Sequence, residues 1–194
     1  MRFSHVSGSS LLDLVNTVHW RLDPVERMDE LGTYRDVIVW CVESSLVTDA
    51  ESRVLQEQAR AEPERSASEH LAVLGVRESA YEALFKGSAG ALAHLTELHR
   101  AAAAEANLER AGDTFAWVDL ELTLATPRHR VVRGLVDLLT RDDLDRLHQC
   151  EDRACGWVYL DTSPRRNRRW CVSSDCGDRN RARAYYARNK AASS

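Results

Sequence analysis

The chain is 194 residues long, 44% apolar and 29% charged, which excludes collagen, coiled-coil arrays and long disordered chains and leaves one or two globular domains. Its longest apolar run, Val37 to Val42, is far short of the ~20 residues that cross a membrane, and Met1 to His5 leads into Gly and Ser rather than an apolar signal core. The expected setting is cytoplasmic, with no membrane partner.

A first helix is predicted over residues 9–19, capped by Ser9 or Ser10, with Leu11, Leu14, Val15 and Val18 on one face. Pro24 breaks the pattern. A second helix covers 30–44 and holds Cys41, which reads as a small buried hydrophobe. Thr48 and Glu51 form a capping-box pair that opens a third helix, ending before Pro63. A longer helix spans 65–86, with Leu71, Leu74, Tyr81, Leu84 and Phe85 as its expected buried stripe. Another covers 91–106, with Leu92, Leu95, His99 and Ala102 on one face. Residues 107–114 read as a polar connector, and Phe115 to Val118 has strand character. Thr126-Pro127 starts a further helix, since Pro suits the first helical position; Val131, Val132, Leu135, Val136 and Leu139 line it. There is no internal repeat.

The texture changes after residue 141. Residues 1–149 hold 16 Arg/Lys and 25 Asp/Glu, whereas residues 150–194 hold 10 and 5, so a small basic tail follows an acidic body. Four of five cysteines also fall in the tail, as C-x4-C-x15-C-x4-C: Cys150, Cys155, Cys171 and Cys176. In a reducing compartment such a cluster holds metal more often than it forms disulfides. Four thiolates close a tetrahedral site, so one structural Zn2+ per chain is expected, with no open catalytic position. Redox-active thiols and an iron–sulfur cluster are the alternatives. Trp157 to Leu160 reads as a strand, making Cys150 to Cys155 a turn between strands. Cys176 sits where a last helix should begin, capped by Ser174 or Asp175. A hairpin followed by a helix start is a treble-clef-like arrangement. The expected architecture is therefore mainly α: a helical domain over 1–143 and a four-cysteine zinc finger over 144–194.

Cys155-Gly156-Trp157-Val158-Tyr159-Leu160-Asp161-Thr162-Ser163, then Arg168-Arg169-Trp170-Cys171, then Cys176-Gly177-Asp178-Arg179, resembles the CGNR-type zinc finger. Asp178 stands where that family has Asn. At the other end, Gly8 followed by Leu12-Asp13-Leu14-Val15-Asn16-Thr17 is similar to the Leu-Asp-x-x-Asn-Thr stretch of the ABATE domain. The resemblance covers nearly the whole chain and implies a bacterial stress-induced transcription regulator.

Arg165, Arg166, Arg168 and Arg169 cluster between the ligand pairs, and Arg179, Arg181, Arg183 and Arg188 lie on the last helix. Arginines interleaved with Tyr185 and Tyr186 suit phosphate and base contact, so DNA is the expected partner. A zinc ion with four thiolates adds about −2, which still leaves the tail at roughly +3. The competing reading is a basic surface that docks on protein. On the first helix, Asp13, Thr17 and Trp20 recur at i, i+4 and i+7 with Asn16 beside them, a polar set that would suit a small-molecule effector or simply tie down loops. Trp157, Tyr159 and Trp170 read as the finger's mini-core. Gly-x-Ser-x-Gly, a P-loop and His-Glu-x-x-His are all absent and the seven histidines are scattered, so no enzymatic role is expected, and an enzyme of the N-terminal pocket with the finger as its lid stands as the third reading. A homodimer is the further partner this reading allows, because single fingers bind weakly.

Overall fold

The computed structural model describes residues 1–192. In chain order the elements are α1 (Ser10–Asn16), β1 (Val18–His19), β2 (Met28–Asp29), α2 (Tyr34–Glu43), α3 (Asp49–Ala61), α4 (Pro63–Lys86), α5 (Ala89–Ala104), β3 (Ala106–Ala111), β4 (Thr114–Asp119), α6 (Thr126–Leu139), β5 (Leu147–Gln149), β6 (Val158–Leu160) and α7 (Asp178–Ala192). Three antiparallel two-stranded sheets pair β1 with β2, β3 with β4 and β5 with β6.

The chain forms two compact units. One contains Met1–Phe3 and Leu31–Arg141; the other contains Ser4–Glu30 and Asp142 onward. The segment Ser4–Glu30 therefore folds with the cysteine-rich region rather than with the helices that follow it in sequence.

In the helical unit, α2 starts because the Thr33 side chain accepts from the Asp36 amide while the Asp36 carboxylate accepts from the Thr33 amide, 2.8 Å. Thr48 and Glu51 make the same reciprocal pair at the start of α3, so both orphan donor sets are satisfied. Pro63 opens α4 at its first position, and Gly87 closes it in the left-handed conformation that glycine adopts freely, φ 61°. Val37, Ile38, Trp40, Cys41, Leu55, Val73, Val76, Ala80, Leu95, Ala102, Val131, Val132 and Leu135 form the core. Cys41 is fully buried, and burial pushes its thiol up to about 12, which makes it inert.

Three sequence expectations change here. The buried stripe of α4 runs through Val73, Val76, Arg77, Ala80 and Tyr81, while Leu71 is 66% exposed; the helix is rotated because Ala80 and the valines allow close packing. On α5, Ala91, Leu95 and Ala102 are buried and Leu92 is not. Residues 107–114 are not a connector: β3 and β4 make a full hairpin, Ala106 opposite Asp119 through Ala111 opposite Thr114, turned at Gly112 with φ 64°.

In the second unit, α1 ends at Asn16 rather than continuing to residue 19, because Val18 and His19 pair with Asp29 and Met28 and Trp20 takes φ 50°. Its Leu11, Leu12, Leu14 and Val15 are buried. A Cβ at Gly156 would meet the Arg21 Cβ at 2.8 Å. The glycine lets the loop after β1 reach the turn of the hairpin, where the Arg21 amide donates to the Cys155 carbonyl at 2.9 Å and the Leu22 amide to Ala154 at 3.1 Å.

Candidate metal centre and basic helix

β5 and β6 pair Leu147 with Leu160 and Gln149 with Val158. The Cys150 amide then donates to the Trp157 carbonyl at 2.7 Å, so the turn between the strands presents Cys150 and Cys155 on one side. The second pair straddles the start of a wide helical turn, Ser173–Gly177, with Cys171 just before it and Cys176 within it; the Gly177 amide on the Val172 carbonyl closes the turn. Val172, not Ser174 or Asp175, occupies its capping position, and no side chain caps it. Trp170 packs against Gly177, where a Cβ would lie 3.0 Å from the indole.

The four sulfurs lie within 4.8 Å of one another and all four residues are buried. Cys155 Sγ is 3.6 Å from Cys171 Sγ, which is 3.5 Å from Cys176 Sγ. These separations exclude disulfides, whose bonds are near 2.0 Å. They match the edge of about 3.8 Å expected for a sulfur tetrahedron around zinc. Hydrogen bonds shared among the crowded sulfurs pull the Cys150 thiol far below its ordinary value and push those of Cys155 and Cys171 far above theirs. Four sulfurs gathered at these separations suit a divalent cation. Tyr159 is buried in the same cluster, with Trp157 and Trp170 packed against it, as expected for a mini-core.

Two family models match. A CGNR zinc finger covers residues 146–189, and ABATE, described as "Putative stress-induced transcription regulator", covers residues 8–142. The chain belongs to the ABATE family. Its finger is a CGNR zinc finger whose four cysteines are positioned for one structural zinc. No curated protein matches the chain.

Around this ABATE–CGNR finger, a residue that sequence reasoning did not single out does much of the positioning. The Asp152 carboxylate is fully buried and accepts from the Ala154 amide, Arg179 Nε at 3.1 Å, Asn180 Nδ2 at 2.7 Å and Arg183 Nη1 at 3.0 Å. Burial works against its charge, but these donors outweigh it and hold Asp152 below the usual carboxylate range. The one available signal was position: an acid two residues after the first ligand, facing the start of a basic helix.

The eight expected DNA-contacting arginines divide accordingly. Arg179 also donates to Asp175 and to Cys176 Sγ, each at 2.9 Å, and lies over the Trp20 ring. Arg168 lies over Tyr159, 4.1 Å from the ring centre, and donates to the carbonyls of Trp170, Val6 and Cys171. With Arg183 on Asp152, these three brace the finger. Arg181 pairs with Asp178 and donates to the Ser173 carbonyl. Asp178, the departure from the family signature, is thus an exposed partner of an arginine on its own helix. Arg166 and Arg169 make exposed ion pairs with Asp145 and Glu151. Arg165 and Arg188 are exposed, with no acid within ion-pair distance among the described residues.

The α1 residues are placed differently again. The Ser7 amide donates to Asp13 at 3.0 Å, and burial raises the Asp13 carboxyl despite that bond and the nearby His5. Asn16 spans β6: its Nδ2 donates to the Val158 carbonyl at 2.9 Å and its Oδ1 accepts the Val158 amide at 2.8 Å. Thr17 Oγ1 donates to the Leu14 carbonyl. Trp20 lines a small cavity of about 70 Å3 beside the cysteines, with His19, Trp157 and Arg179. Two carboxylates flank the histidines of this segment, Asp13 at 3.5 Å from His5 and Glu30 at 3.1 Å from His19.

Proposed function

We propose that this protein is a DNA-binding transcription regulator of the cytoplasm: the zinc finger meets DNA, the helical unit is the regulatory part, and neither is catalytic. The observation that carries this is the far half of α7. Every residue from Ala184 to Lys190 is exposed. Tyr185 and Tyr186 are 55% and 71% exposed and stack edge to face at 5.7 Å. A helix that presents aromatics and cations to solvent over two turns has no internal reason for that composition. Phosphate contact by cations with aromatic stacking alongside is a reason.

The cations assigned to phosphate are Arg165, Arg166, Arg169 and Arg188. The ion pairs of Arg166 and Arg169 are exposed and therefore cheap to exchange for a phosphate. Four contacts of this kind give a slope of about −3.6 in log K against log salt. Replacing Arg165 and Arg169 with Ala should reduce that slope by about 2 and weaken all sequences alike. Fluorescence anisotropy of the zinc-loaded protein on random and genomic fragments measures both. Absence of binding at low salt overturns the reading and leaves docking on protein as its successor. Asp13 and Asn16 hold α1 in its unit through the bonds above and Thr17 closes the end of the helix, so this reading assigns them positioning rather than an effector.

A further inference from the structure

The hairpin β3–β4 is the part of the helical unit that packing does not explain. Each residue from Asn107 to Val118 is exposed, and Leu108, Phe115 and Trp117 are 60%, 60% and 46% exposed. Cross-strand pairing sets Leu108 opposite Trp117 and Arg110 opposite Phe115. Alternation therefore puts the three large apolar side chains on one face. Arg110 lies over the Phe115 ring, 5.1 Å from its centre. The hairpin is nonetheless firmly anchored, because Asp119 at its base is held by Arg130 at 2.6 Å and Arg133 at 2.5 Å. Trp117 also overhangs an open cleft of about 340 Å3 floored by Arg130, Arg133 and Asp137.

We propose that this hairpin joins a second copy of the chain, edge to edge through β4, into a four-stranded antiparallel sheet. A two-stranded sheet in water is marginal, and each strand leaves one row of backbone groups unpaired. The two edges differ. β3 carries Glu109 and Arg110, whereas Thr114-Phe115-Ala116-Trp117-Val118 of β4 carries no charge. Charges on edge strands are the usual protection against strand addition, and β4 has none before Asp119 at its base, which Arg130 and Arg133 neutralise. A second copy is the occupant because an antiparallel strand is its own complement about a two-fold axis. With that axis at Ala116, Phe115 of each copy faces Trp117 of the other on the same face of the sheet, and Thr114 faces Val118. Aromatic pairs of this kind are among the better cross-strand contacts.

The size of the patch fixes the strength. Leu108, Phe115 and Trp117 leave on the order of 350 Å2 of apolar surface open on one face, within the range of the largest patch on a monomer. Pairing of the two β4 edges sets Phe115 and Trp117 of each copy side by side and leaves the rest of the face open, so the contact lies at the small, weak end of specific interfaces. The proposal does not depend on DNA binding.

Sedimentation velocity of the full zinc-loaded chain, from submicromolar to several hundred micromolar, should show a monomer–dimer equilibrium. Trp117→Lys and Ala116→Lys should each weaken it by about thirtyfold or more, with melting temperatures matching the monomeric wild type. Ala116 is small and exposed, so its variant decides the matter if Trp117→Lys fails to fold. Hydrogen exchange locates the edge: amides of β4 should gain protection as concentration rises. A chain that stays monomeric throughout, association unchanged in both lysine variants, or protection gained at β3 instead of β4 overturns the proposal.

Discussion

The helical unit buries Trp40, Leu31, Ile38, Leu55 and Leu135 almost completely, and its principal ion-pair network, Arg130 with Glu51 and Asp119, lies half-buried at the margin. The finger unit also buries apolar side chains, Leu11, Leu12, Leu14, Val15, Val18 and Leu160 among them, but polar groups stand between them. Its interior holds four cysteines together with Asp13, Asn16, Asp152 and Asp161, each bonded to named donors or acceptors. A helical core gains from area and tolerates small changes, because dispersion and apolar burial are spread over many contacts. The finger is held by a few directional bonds, so the loss of one atom should act on the whole unit.

The largest expected effect separates the units. Cys171→Ser, or a strong chelator, should abolish zinc binding and unfold α1 and α7 together, while α2 to α6 persist. Far-ultraviolet circular dichroism with metal analysis measures this. Retention of α1 in the metal-free protein would break the comparison, because it would mean that the segment Ser4–Glu30 does not need the finger.

A smaller effect tests the directional bonds themselves. Asn16→Ala removes both bonds to Val158 and strands a buried amide and carbonyl, which should cost about 2–3 kcal/mol. Urea titration followed by tryptophan fluorescence should show the loss in the finger's transition alone. An effect under ~0.5 kcal/mol would place the amide among ordinary surface hydrogen bonds.

The mildest effect lies at the margin of the helical unit. Arg130 and the Thr48 cap lower the Glu51 carboxyl from 4.5 to about 2. A depressed carboxyl stabilises the fold above its ordinary value, and that contribution fades as pH falls from about 4.5 toward 2. Glu51→Gln should therefore flatten the acid limb of the stability profile over this window and change little when compared as a slope near neutrality. An unchanged acid limb would assign acid sensitivity to other carboxylates.

Much of this was legible in the sequence, and the exceptions have physical causes. The cysteine spacing exposed the metal centre because four thiolates in 27 residues have few other uses. The Thr48–Glu51 capping box was visible because it is strictly local. Which face of α4 turns inward was not, because Val73, Val76 and Ala80 outcompete Leu71 only once neighbouring helices fix the approach. The β3 strand was hidden by its polar composition, which reflects exposure on both faces. Most of all, the arginines looked alike in sequence. Arg168 and Arg179 are separated from Arg165 and Arg188 only by what they touch, and those groups, Tyr159 on the neighbouring strand and Trp20 and Asp152 from farther along the chain, meet them only in the fold.

The pairing of Ser4–Glu30 with Asp142 onward has a consequence for the order of assembly. In effect the helical unit is inserted into the finger unit, between Glu30 and Leu31 on one side and Arg141 and Asp142 on the other. Asn16 meets Val158 across 142 residues of chain. On a ribosome adding 5–20 residues per second, the first helix therefore waits on the order of ten seconds for its partner strand. The helical unit has all its residues earlier and can close first, which shortens the effective loop between the two halves of the finger. Metal capture then follows the making of β6: until Cys171 and Cys176 have been added, the strand that Asn16 bonds lacks half of the ligands that staple its hairpin.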